Sequence, residues 1–160
     1  MPTNQSDSSV SEIIITRTFN APCALVWKAW TDPAHIMHWW GPAGFTNETC
    51  KSDLRVGGRF RLELRGPDGN VYPCIGTFRE IIEHKRIVYE GETEDEHPCG
   101  AGIPPRATVT VSFAEQQGKT RLTLHTRFAS PARKQAAAEA RFVVSWEEAL
   151  ERLAEAIHAE

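Results

Sequence analysis

The 160 residues carry 41% hydrophobic and 24% charged side chains with a formal charge of −3, a length and composition that suit one domain with a real core. Lys plus Arg numbers 18 against 21 for Asp plus Glu, so no broad basic field exists to hold nucleic acid by counterion release. No stretch approaches the ~18 consecutive apolar residues of a membrane span, and Met1 to Ser11 is polar without the basic start and apolar run of a secretion signal. The expectation is a cytoplasmic protein with no membrane insertion, residues 1–10 forming a disordered tail and 11–158 a single domain.

In chain order, Ser11 to Phe19 is β-branched and aromatic and predicts a strand. Pro22 suits the first turn of a helix, and Leu25, Val26, Ala29 and Trp30 recur at helical spacing. Asp32 as N-cap with Pro33 at the first helical position predicts a second short helix to about Trp39. Gly41 to Gly44 breaks the chain, and from Phe45 to Phe128 the sequence reads as strands between Gly-containing turns.

Phe60, Leu62 and Leu64 alternate with Arg59, Arg61, Glu63 and Arg65, the period of a half-buried strand. After the Gly66 to Gly69 turn, Tyr72, Cys74, Gly76 and Phe78 share one face while Ile75, Thr77, Arg79 and Ile81 share the other, so the inward face is ambiguous. Ile87 to Tyr89, Ala107 to Phe113 and Leu122 to Phe128 complete an antiparallel meander, with Gln117-Gly118 as a turn. Gly57-Gly58 is a turn or bulge rather than a phosphate cradle, because no helix follows it.

From Pro131, with Ser130 as N-cap, the period becomes helical, and Phe142, Trp146, Ala149, Leu150, Leu153 and Ile157 form one stripe. A helix from about Ala132 to His158 would be roughly 40 Å long, enough to cross a sheet. The chain thus predicts an α+β fold in which a curved antiparallel sheet of about six or seven strands wraps on a long C-terminal helix. A straight helix cannot touch a curved sheet along its whole length, so an enclosed space between them is the candidate site.

Several stretches carry a resemblance that runs from about Ile13 to Ile157. They include Ile15-Thr16-Arg17-Thr18-Phe19-Asn20-Ala21-Pro22, Val26-Trp27-Lys28-Ala29-Trp30-Thr31-Asp32-Pro33 and Trp39-Trp40-Gly41-Pro42. Further along come Asp53-Leu54-Arg55-Val56-Gly57-Gly58-Arg59-Phe60, Gly76-Thr77-Phe78-Arg79-Glu80-Ile81, Gly118-Lys119-Thr120-Arg121-Leu122-Thr123-Leu124 and Trp146-Glu147-Glu148-Ala149-Leu150-Glu151-Arg152-Leu153. In that order they resemble the activator of heat-shock protein 90 ATPase homologue family of the START-like superfamily, also called SRPBCC or Bet v 1-like. The resemblance implies a helix-grip fold with a hydrophobic ligand-binding cavity between sheet and C-terminal helix. It implies no shared catalytic set. Ser145 departs from the family's usual glycine before the helix tryptophan, and Gly91 to Pro105 reads as a mobile acidic loop.

The residues expected around the cavity are Arg17, Trp30, Trp39, Phe60, Leu62, Tyr72, Phe78, Val111, Leu124, Phe142, Ser145, Trp146 and Leu150. Tryptophans offer large apolar area with an N–H handle, although core packing accounts for about three of the five on burial grounds alone. Arg17 and Tyr72 are polar groups on otherwise apolar strand faces and could orient a ligand, with a salt bridge to Glu48 or Asp53 the plainer reading of Arg17. No metal and no cofactor is expected. The four cysteines lie about 25 residues apart without a CxxC pair, and only His97 and Cys99 are close together. His35 and His38 read as surface or helix-capping residues.

Three functions compete. The first is binding of a small hydrophobic or aromatic molecule, in a stress-response or regulatory role. The second is cavity-based turnover of a cyclase or hydrolase type, which needs an acid or base beside the ligand. The third, suggested by the family name, is a co-chaperone partnership with heat-shock protein 90. It ranks last because eukaryotic activators carry a further N-terminal domain that ten residues cannot replace. A homodimer is left open.

Overall fold

The computed structural model describes residues 11–41, 43–91, 106–139 and 141–158; the expected tail and nearly all of the acidic loop, with His97 and Cys99, lie outside them. Seven strands form one antiparallel sheet: β1 (Glu12–Phe19), β2 (Thr46–Ser52), β3 (Arg59–Arg65), β4 (Val71–Ile82), β5 (Arg86–Gly91), β6 (Thr108–Gln116) and β7 (Lys119–Arg127). Their order is β1-β7-β6-β5-β4-β3-β2, so consecutive strands from β2 to β7 are neighbours and β1 closes the far edge against β7. Gln117 and Gly118 both take positive φ, as a two-residue hairpin matching the strand twist requires.

Two short helices, α1 (Cys23–Thr31) and α2 (Pro33–Ile36), follow β1, and α3 (Pro131–Glu139) and α4 (Phe142–His158) follow β7. This is the helix-grip arrangement, with the apolar face of the sheet gripping α4.

The ambiguity in β4 is resolved by burial. Cys74, Gly76 and Phe78 are buried and Tyr72 half-buried, while Arg79 on the other face is exposed. A register shift between Phe78 and Glu80 then turns the strand over, so that Ile81 pairs with Ile87 and packs on the core. Asp32 caps α2 as expected, its Oδ1 accepting from the Ala34 N–H at 3.0 Å. Pro22 sits at the N-cap of α1, one residue ahead of its first turn.

Two expectations are corrected. The second short helix ends at Ile36 instead of Trp39, because Trp39 and Trp40 are drawn into the core and the chain turns to bury both. The C-terminal helix is divided as well. Arg141 takes φ +62, in the left-handed region that a helix interior excludes, and α3 buries no residue. Its Ala-rich sequence favours helix but has no apolar stripe to fix its direction. The stripe begins at Phe142, so the gripped helix has 17 residues and a length of about 26 Å.

Candidate functional site

Aromatic rings fill most of the space between the sheet and α4. Trp30 from α1 lies parallel to Trp146 from α4, with ring centroids 6.0 Å apart and planes 10° apart. Trp40 meets the edge of Trp146 at 5.1 Å and tilts over Phe60 of β3 at 5.2 Å. Phe60 is in turn parallel to Tyr89 of β5 at 6.2 Å, and Phe78 of β4 meets the edges of both. Offset and edge contacts of this kind add about 0.5–1.5 kcal/mol each beyond area burial.

A gap remains among these rings. It is lined by Trp30, Thr31, Trp40, Ser52, Leu54, Phe60, Phe78, Ile87 and Tyr89, and its room for the centre of a water molecule is about 10 Å³. That holds about one water. Leu54, 41% exposed, connects the lining to the surface. The turn that carries it is tied to β4 in both directions: Gly57 N–H donates to Phe78 O at 2.8 Å, and Phe78 N–H to Gly58 O at 2.9 Å. Gly58 is obligatory there, since a Cβ would stand 2.0 Å from the Asp53 carbonyl oxygen. Among the described residues the lining contains no carboxylate, imidazole, amine or guanidinium.

Polar satisfaction differs between adjoining tryptophans. Trp39 Nε1–H donates to Ala29 O at 2.8 Å, whereas the buried Nε1 of Trp30 finds no acceptor among the described residues. Tyr89 OH and Ser52 Oγ are also buried without a hydrogen-bond partner among them. Burial pushes the Tyr89 hydroxyl far above the ordinary tyrosine range, the nearby Trp30 indole opposing the rise and Cys74 adding to it. Trp30 therefore lies close to Tyr89 without the geometry of a formed hydrogen bond.

A larger and more open cleft, about 540 Å³, lies on the helical side, between α1–α2 and the end of α4. Ala29, Ala34, Trp39 and Ala156 give it an apolar floor, and His35, His38, Arg152 and Glu155 a polar rim. The Arg152 guanidinium, whose pKa is lowered by burial, donates to Gly41 O at 2.9 Å.

Of the residues expected at a cavity, Trp30, Phe60 and Phe78 line the interior gap, and Trp146 backs it through Trp30 and Trp40. Leu62, Val111, Leu124 and Leu150 are buried in the same core, as is Ser145, while Phe142 packs edge-on against Phe128 at 5.4 Å. Trp39 is buried but lines the outer cleft. Arg17 pairs with Glu151 of α4 at 2.7 Å and lies 5.7 Å over the Phe19 ring; Glu48 and Asp53 instead engage Arg65 and Arg55. Tyr72 turns toward the β3–β4 hairpin, where its hydroxyl donates to Asp68 and its ring packs on Phe45.

Thr31, Trp40, Ser52, Leu54, Ile87 and Tyr89 line the gap without having been among the residues expected around the cavity. Tyr89 had a signal in its alternation with Ile87, whereas Ser52 sits in a polar edge strand that has none. Among the described residues no group of three His, Cys, Asp or Glu is placed to hold a metal ion. No described helix is long and apolar enough to cross a membrane.

A family model described as Activator of Hsp90 ATPase homolog 1-like protein matches residues 20–158. Among solved structures, a Nitrosomonas europaea protein superposes with a TM-score of 0.83 at 23% identity, covering 94% of this chain and 96% of its own. An Arthrobacter aurescens protein gives 0.81 at 26% identity, over 96% and 90%. An AHSA1-like protein from Aeromonas hydrophila gives 0.66 at 23%, over 92% and 93%. Among curated proteins no significant match is found.

Proposed function

Because the chain belongs to the Activator of Hsp90 ATPase homolog 1-like family, a START-like fold family whose members bind ligands, we propose that it binds a small apolar or aromatic molecule between sheet and α4, in the cytoplasm. The observation that carries this reading is the aromatic-walled gap reaching the surface at Leu54. Its walls supply apolar contact, and its few polar atoms are neutral, which suits an uncharged ligand. The gap has the room of about one water, so a larger molecule seats itself by displacing Leu54, the exposed member of the lining.

Calorimetric titration with neutral aromatic compounds of one and two rings tests the reading. Saturable one-site binding is expected, lost in Leu54→Trp, which fills the mouth, and retained in Ala156→Trp, which fills the outer cleft. Absence of saturable binding across the series would overturn it, as would loss in Ala156→Trp alone.

A further inference from the structure

Three of the four buried side-chain atoms without a hydrogen-bond partner among the described residues belong to residues lining one gap: Trp30 Nε1, Ser52 Oγ and Tyr89 OH. Buried polar groups are seldom left unpaired, and three around a single space are not three independent accidents. They come from α1, β2 and β5, elements far apart in the chain that the fold brings together. Ser52 faces inward because it pairs with the buried Phe60 across the β2–β3 ladder.

Their hydrogen-bonding capacities are complementary. The indole N–H only donates, while each hydroxyl donates and accepts, so one oxygen atom among them can accept from Trp30 and exchange bonds with Ser52 and Tyr89. The room of about 10 Å³ is that of one such atom with its hydrogens. From this geometry we infer a one-oxygen site, occupied by a water in the ligand-free protein and by a hydroxyl or carbonyl oxygen of the bound molecule. The inference rests on the proposed ligand-binding reading and narrows it to neutral aromatic molecules bearing one hydroxyl or carbonyl group. A carboxylate is disfavoured because the described lining residues offer no cation to a buried charge. The raised pKa of Tyr89 keeps its proton available as a donor throughout the physiological range.

The test compares 2-naphthol, its near-isostere 2-methylnaphthalene, and 2-naphthoate on the wild-type protein and on Tyr89→Phe and Ser52→Ala, which keep ring and backbone. Cross-relaxation between water and the Trp30 indole proton is followed by NMR in the ligand-free protein. The expected result is a water signal at Trp30, with 2-naphthol bound about tenfold tighter than 2-methylnaphthalene and 2-naphthoate the weakest of the three. Both substitutions should collapse the naphthol preference, weakening 2-naphthol while sparing 2-methylnaphthalene the cost of one unpaired hydroxyl. Equal wild-type affinities for the first two compounds, or a preference that survives Tyr89→Phe, would overturn the one-oxygen site while leaving apolar ligand binding standing. If neither neutral compound binds, the ligand reading falls and the anchoring role with it, whereas the water signal at Trp30 alone upholds or removes the water site.

Discussion

Among the described residues, Trp39 and Trp30, whose rings lie 4.7 Å apart, border two spaces that are opposites. The outer cleft is large and open, with a charged rim, and the one tryptophan in its lining has its N–H satisfied. The interior gap is small and neutral, and three of its polar atoms lack a protein partner among the described residues. Volume alone would select the first. Polar accounting selects the second, because a dissatisfied buried group signals a missing partner more strongly than open space does.

The interior gap depends most on its aromatic wall. Trp146→Ala removes the ring that backs both Trp30 and Trp40, and about 3–5 kcal/mol of stability should be lost in urea unfolding. Gly58→Ala forces a Cβ onto the Asp53 carbonyl and should cost about 2 kcal/mol, with weakened ligand binding because the Leu54 turn is displaced. Arg17→Ala, which breaks the largely exposed pair with Glu151, should change stability by less than about 1 kcal/mol. His38→Ala on the rim of the outer cleft should stay within about 0.5 kcal/mol and leave ligand affinity unaltered; a loss of affinity there would move the site to the outer cleft.

Cys50 on β2 carries a thiol that the fold shields. Burial pushes its thiol up to about 11, with Asp32 adding a smaller repulsion. The folded protein therefore holds this proton where the unfolded chain, at the ordinary value of 9.0, releases it, and the contribution to stability is lost as pH rises from 9.0 through about 11. Alkylation of Cys50 at pH 8 should be slower in the native protein than in urea, and equal rates would contradict the burial.

Most of the architecture was legible in residues 12–19, 59–65 and 142–157, where apolar side chains recur at two or at about 3.6 residues and one face must be buried. The break at Arg141 was not, because Pro131 to Glu139 has good helix formers and propensity alone does not say that a segment buries no residue and touches the core only through Ala137. The interior site was legible only in part. Trp30, Phe60 and Phe78 stood out as aromatic, but Ser52 became relevant only by pairing with Phe60, and Tyr72 drew attention that belonged to Tyr89. Which of two tyrosines keeps its hydroxyl unpaired depends on whether an Asp lies four residues away, as it does for Tyr72, and on tertiary neighbours that no local pattern encodes.

The ring assembly has an optical consequence. Trp30, Trp39, Trp40 and Trp146 form a connected set with centroids between 4.7 and 6.0 Å apart, while Trp27 packs separately against Phe113 and His84. At such separations a strong near-ultraviolet circular dichroism signal from the four indoles is the expected outcome, and a spectrum of the native protein no stronger than that of the urea-unfolded chain would contradict the packing. A change in the stacking of Trp30 on Trp146 should alter that signal, so ligand titrations can be followed without a label.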